Sequence, residues 1–206
     1  MSEVCLDLWL IRHGETDWNR EGRTQGHSQN PLSELGVKQA RRLAQRLESE
    51  SFDYIHSSDL KRALQTAELV FPARQIVQDE RLREVGRGVL EGTTEAERSE
   101  EQRALLRHIR EDHMTRRPPG GESFQEVIDR VTSWLADLPE QGKAVAFTHG
   151  GVIHAALHRL VGDSRVFSFA SNNTGITRLV IEKGHTTISF VNDHAHVFGR
   201  ENLWSY

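Results

Sequence analysis

Residues 143–151 read KAVAFTHGG. Ala144, Val145, Ala146 and Phe147 form an unbroken apolar run of strand length, which suits a strand covered on both faces. Residues 152–162, VIHAALHRLVG, follow with apolar side chains at helical spacing and a closing Gly162. A buried strand that turns straight into a helix is half of a βαβ unit, so its neighbours in the sheet are expected to run parallel. The same pattern recurs outward from it. Val4 to Ile11 reads as a second strand buried on both faces. Ser33 caps a helix that places Leu35, Ala40, Leu43, Ala44 and Leu47 on one stripe. The segment FDYIHSS (52–58) is a short strand, followed by a helix bearing Leu60, Ala63, Leu64, Ala67 and Val70 that Pro72 stops. RQIVQDE (74–80) reads as a third short strand, residues 94–113 as a charge-rich exposed helix, and a helix starts at Ser123 with Trp134 on its core stripe. TGITRLVIEKGHTTISFVND (174–193) reads as two strands around a Lys-Gly turn.

Strands alternating with helices predict an α/β fold, a three-layer sandwich whose central sheet is mostly parallel and mixed by the last strand pair. Residues 1–206 are expected to form one domain, with the polar stretch 93–121 as a candidate lid insertion. The net charge of −4 over 206 residues argues against nucleic acid or an anionic membrane as partner. One cysteine, Cys5, forbids an internal disulfide and fits a cytoplasmic location. The sequence has no signal-peptide pattern and no apolar run of the ~20 residues that cross a bilayer.

In open α/β sheets, ligands bind beyond the carboxyl ends of the strands. Here those ends lead into Arg12-His13-Gly14, into Ser57-Ser58-Asp59-Leu60-Lys61-Arg62, and into Thr148-His149-Gly150-Gly151. Parallel strands would bring two histidines and two arginines to one rim. Such a rim suits a phosphate: arginine matches its oxygens bidentately, and histidine can be a neutral nucleophile or a charged donor near pH 7.

These motifs, together with LIRHGETDWN (10–19), LSELGVKQA (32–40), LREVGRGVLEG (82–92), GGESFQEVIDRV (120–131) and NDHAHV (192–197), give the sequence a resemblance to the histidine phosphatase, or phosphoglycerate mutase-like, superfamily. The resemblance implies a small phosphorylated metabolite as substrate and neither metal nor other cofactor. It implies that His13 attacks phosphorus and becomes a phosphohistidine, while Arg12, Arg62 and His149 clamp the phosphoryl oxygens. Glu84 would protonate the leaving oxygen and then assist water. Thr16, Asn19, Gln25, Gly26 and Gly150 would line the substrate side. A carboxyl in that role works best with a raised pKa, so Glu84 is expected to be partly dry or beside another carboxylate, and activity to be bell-shaped with a mildly acidic optimum.

Two departures bear on function. Arg87 stands where the family often carries Phe. The interval from Gly92 to Gly121 lacks the long insertion usual in mutases, and its basic stretch is only MTRRPPG (114–120). The expectation is a phosphatase acting on a small phosphomonoester. A cofactor-dependent phosphoglycerate mutase and a non-catalytic phospho-ligand binding module are the alternatives. His154 and His158 lie four apart on a helix, but Ala155 stands where a metalloprotease carries its glutamate, so packing roles are expected. Arg116 and Arg117 would reach an anionic substrate if the 93–121 stretch folds over the rim.

Overall fold

The computed structural model of the protein describes residues 5–162 and 169–197. Its strands are β1 Cys5–Arg12, β2 Tyr54–Ser57, β3 Val77–Gln78, β4 Gly142–Thr148, β5 Ile176–Glu182 and β6 His185–Asp193. They form one sheet in the order β3-β2-β4-β1-β5-β6. The pairings β3–β2, β2–β4 and β4–β1 are parallel, whereas β1–β5 and β5–β6 are antiparallel. The helices are α1 Asp17–Arg20, α2 Glu34–Arg46, α3 Lys61–Val70, α4 Glu100–Glu111, α5 Phe124–Ala136 and α6 Gly150–Val161. None is long and apolar enough to cross a membrane. The fold is the α/β sandwich around a mixed sheet that the alternation predicts.

Period-two alternation along β1 divides the core. Leu6, Leu8 and Leu10 face Val127 and Trp134 of α5 and Leu157 of α6. Trp9 and Ile11 face the other way, toward Leu43 of α2 and Ala67 of α3. Each such buried side chain stabilises the fold by roughly 1.5–3 kcal/mol. The helix signals behave as their chemistry requires. Ser33 accepts from the Gly36 N–H at 3.0 Å, Ser123 forms a capping box with Glu126, and Gly162 ends α6 at φ 73°. The two-residue turn Lys183-Gly184, with φ of 48° and 81°, closes the β5–β6 hairpin.

Three boundaries differ from the sequence reading. Val4 lies outside the described residues, and β1 runs on through Arg12 because Arg12 still pairs with Thr148 of β4. RQIVQDE yields only the two-residue β3, which is the sheet edge. Val77 is 49% exposed there, and the chain curls into a 3-10 turn at Glu80–Leu82. The exposed helix is shorter than 94–113: a Ser99–Gln102 capping box starts α4 at Glu100, and none of its residues is buried.

Candidate active site

The parallel register of β1 and β4 sets Arg12 opposite Thr148, so the next residues, His13 and His149, leave the sheet side by side. The His13 N–H extends the ladder to the Thr148 carbonyl at 2.9 Å. The two imidazole centroids lie 5.1 Å apart. Arg62, in the first turn of α3, completes the cluster: its Nε donates to His13 Nε2 at 3.2 Å. Its other nitrogens donate to the carbonyls of Gly26 at 2.9 Å and Ser28 at 2.8 Å. His13 is 2% exposed, and His149 and Arg62 are fully buried.

These contacts fix the His13 tautomer. Nδ1 lies 2.7 Å from the Gly14 carbonyl, which can only accept, so Nδ1 carries the hydrogen. Nε2 accepts from Arg62 and is therefore the unprotonated nitrogen, with its lone pair directed at the Arg62 guanidinium on the rim. His149 Nε2 lies 3.0 Å from the Ser58 hydroxyl, while its Nδ1 is buried with no hydrogen-bond partner among the described residues. A buried polar nitrogen without a partner is costly unless a ligand supplies one. Arg12 is half-buried and donates from Nη1 to the Ser171 carbonyl.

Burial and then the nearby Arg62 and Arg12 hold His13 well below the usual histidine pKa. Burial and Arg62 do the same to His149. Burial lowers Arg62 to about 10, with Glu84 and Glu91 opposing, so it stays charged at neutral pH. Both rings are thus neutral above pH 6.5. The unfolded chain binds more protons than the native one between the depressed native values and 6.5, so stability drops as pH falls through that window. Two such histidines remove about 2–3 kcal/mol per pH unit at the steepest. The urea midpoint is therefore expected to be flat from pH 8 to 7 and to fall from 6.5 to 5.5. A midpoint constant down to pH 5 would contradict the neutral pair.

Glu84 enters from the loop after the 80–82 turn and is half-buried. Its Oε1 accepts from the backbone N–H of Val85 at 2.8 Å and of Gly151, in the first turn of α6, at 3.1 Å. Gly151 leaves the room that this carboxylate occupies: a Cβ there would sit 2.3 Å from Glu84 Oε1 and 2.5 Å from Val85 Cγ2, so those side chains would have to shift. The Glu84 carbonyl is gripped from behind by His27 Nε2 at 2.9 Å and Arg130 Nη2 at 3.0 Å. Arg130 in turn binds Glu122, which also accepts from the Gly86 N–H at 2.7 Å. Burial works against the Glu122 charge, but hydrogen bonds from His27 and Arg130 prevail and hold it at about 2. Gly151, Arg130, Glu122, His27 and Ser58 are supports the sequence reading does not single out. Arg130 lies on a helix, where an arginine reads as a solvated charge.

Thr16, Asn19 and Gln25 form a knot close to the rim. The Thr16 N–H donates to Asn19 Oδ1 at 3.1 Å, and the Thr16 hydroxyl lies 3.0 Å from Gln25 Oε1. Gly26 anchors Arg62 through its carbonyl and has no room for a Cβ, with the Arg87 N and Glu91 Oε2 both 2.8 Å from that point. Gly150 opens α6 at the mouth of a cavity of about 690 Å³. Arg12, Glu84 and Gly151 also line this cavity, and α4 supplies much of its far wall. Arg116 lines it too, but its guanidinium is engaged by Glu111 and the His108 carbonyl. Arg117 is not among the lining residues and pairs with Glu126 instead. His154 donates to the Phe169 carbonyl at 3.0 Å, and His158 packs edge-on against Phe124, so the two imidazoles are used separately. The carboxy-terminal histidines pack behind the rim: His196 Nε2 is 3.0 Å from the Thr174 hydroxyl, and the Thr174 N–H donates to the Arg12 carbonyl.

Known proteins carry the same arrangement of elements. A 39% identical relative, named "Probable phosphoglycerate mutase GpmB" in Salmonella choleraesuis, aligns over 162 residues, 76% of this chain and 75% of its own. The structure of Bacillus stearothermophilus YhfR superposes with a TM-score of 0.86 at 32% identity, covering 94% of this chain and all of that one. The alpha-ribazole phosphatase of Shigella flexneri superposes with a TM-score of 0.84 at 30% identity, over 91% and 96% of the two chains. The sequence model of the histidine phosphatase superfamily, branch 1, matches residues 8–194, which takes in every element that carries the rim. The chain is an enzyme of the histidine phosphatase superfamily.

Proposed function

We propose that the protein is a metal-independent phosphatase that hydrolyses a small phosphomonoester through a phosphohistidine at His13. The observation that carries this reading is the His13 tautomer: Nδ1–H tied to the Gly14 carbonyl, Nε2 lone pair turned to a rim crowded with Arg12, Arg62 and His149. In the first step Nε2 attacks phosphorus, the bond to the ester oxygen breaks, and the Glu84 carboxyl gives its proton to that oxygen. The Gly14 carbonyl stabilises the imidazolium that forms. In the second step Glu84 takes a proton from water as that water attacks phosphorus, and the P–N bond returns its electron pair to Nε2. Arg12 and Arg62 neutralise charge on the remaining oxygens and the neutral His149 donates a hydrogen bond from its unpartnered Nδ1, the charge stabilisation on which phosphoryl transfer mainly depends. Splitting one hydrolysis into two displacements is the gain from a covalent intermediate. The depressed His13 pKa moves the acid-side loss of activity well below pH 6.5.

The relative named for phosphoglycerate mutase activity favours a second reading, in which the phosphoryl group returns to a phosphoglycerate rather than going to water. The experiment is rapid acid-free quenching with a ³²P-labelled phosphomonoester in EDTA. Turnover is expected to persist in the chelator, release orthophosphate, and label His13 through an alkali-stable, acid-labile bond. Turnover without any protein label, or loss of activity in EDTA, would defeat the proposal. Interconversion of 2- and 3-phosphoglycerate without net phosphate release would select the mutase.

A further inference from the structure

We infer that the leaving group of the substrate is a mainly apolar body, about the size of a fused two-ring system, that carries a second anionic group held by Arg87 and Arg110. This rests on the phosphatase reading and concerns what lies beyond the ester oxygen. The cavity next to Glu84 measures about 690 Å³, inside the ~300–1,000 Å³ range of pockets that enclose drug-sized ligands. Val85, Leu90, Leu106, Ile109 and Phe124 line it. Leu106 and Ile109 of α4 belong to neither core cluster and stay only partly buried, so apolar surface on them is left facing this space, with the buried Leu90 beside them. A three-carbon acid would leave most of that surface against water. An aromatic or long aliphatic body would cover it.

The charges around the cavity are already assigned, with two exceptions. Arg12 and Glu84 serve the phosphoryl end, Glu122 is held by Arg130, and Arg116 is held by Glu111 and the His108 carbonyl. Arg87 and Arg110 also line the cavity, and neither guanidinium has a hydrogen-bond or ion-pair partner among the described residues. They come from different elements. Arg87 sits in the loop bridged to Gly121, and Arg110 sits in the last turn of α4. Two like charges offered to one cavity without a counter-ion are complementary to an anion, and the guanidinium fork matches a carboxylate or phosphate.

The test compares kcat/KM for 2-naphthyl phosphate, 6-carboxy-2-naphthyl phosphate, phenyl phosphate and 3-phosphoglycerate. The carboxynaphthyl ester is expected to exceed the naphthyl ester by about tenfold, the range of a hydrogen-bonded charge pair. Both are expected to exceed phenyl phosphate and 3-phosphoglycerate. In Arg87→Ala/Arg110→Ala the ratio of the two naphthyl esters falls to near one through KM, and Arg87→Lys/Arg110→Lys restores part of it. Arg110→Glu, at a position of α4 with no buried neighbour on the helix to disturb, reverses the preference. Equal rates on all four esters, a preference for 3-phosphoglycerate, or a ratio unmoved by the double variant overturns the inference and leaves the phosphatase reading intact. Hydrolysis of none of the four overturns both.

Discussion

His13→Ala is expected to lower kcat/KM on any phosphomonoester by roughly ten-thousand-fold or more, the scale on which removing an enzymatic nucleophile acts. The substitution removes the Nε2 lone pair and the Nδ1–H hydrogen bond to the Gly14 carbonyl, and leaves a ring-sized hollow between Arg62 and His149. Arg12, Arg62 and His149 remain, so orthophosphate should still bind and raise the melting temperature. Free imidazole, which fits the hollow, should restore measurable turnover by taking the phosphoryl group itself. Retention of a few per cent of the activity without imidazole would assign the nucleophile to another residue.

Gly151→Ala is the second large effect, and it comes from a residue with no functional group. A methyl at that position would lie 2.3 Å from Glu84 Oε1, inside any permitted contact, so the carboxyl must leave. It then loses the N–H donor of residue 151 and its place beside the rim. General acid–base catalysis contributes about 10²–10⁴-fold, so Gly151→Ala should cost that much on an alkyl phosphate, whose leaving oxygen needs a proton. The same variant should cost far less on p-nitrophenyl phosphate, whose leaving group departs as an anion. Glu84→Gln should show the same asymmetry. Gly150→Ala is the control for crowding at the helix start: its Cβ meets nothing nearer than Ser171 at 3.8 Å. Equal losses of Gly151→Ala on both esters would mean that the damage is not to proton donation.

The fold was legible where burial is two-sided. β4 and β1 are apolar runs because helices cover both faces of the sheet, and the turn chemistry of Ser33, Ser123, Gly162 and Lys183-Gly184 is local. RQIVQDE reads as a longer strand because Ile76 and Val77 resemble a strand core, whereas at the sheet edge only Val77 and Gln78 pair, and with one partner strand. At the rim, the convergence of residues 12, 13 and 149 followed from one assumption, that their strands are parallel. Contacts made by the backbone were not legible. Nothing in Gly151 reveals that a carboxylate lies against its α-carbon, and nothing in Arg130 or Glu122 reveals that they hold the Glu84 carbonyl. Arg116 and Arg117 are expected from the sequence to reach an anionic substrate only if the 93–121 stretch folds over the rim. The structure ties both to carboxylates and turns Arg110 toward the cavity.

The bond from Arg62 to His13 Nε2 makes the resting ring a latched one. A neutral electrophile, or a divalent ion seeking imidazole, finds the electron pair already occupied by a guanidinium, and a cation must approach against like charge. An anion that drew that guanidinium onto itself would free the nitrogen in the same movement. Discrimination against stray reactants is in this way built into the unliganded state, before any part of a leaving group is recognised.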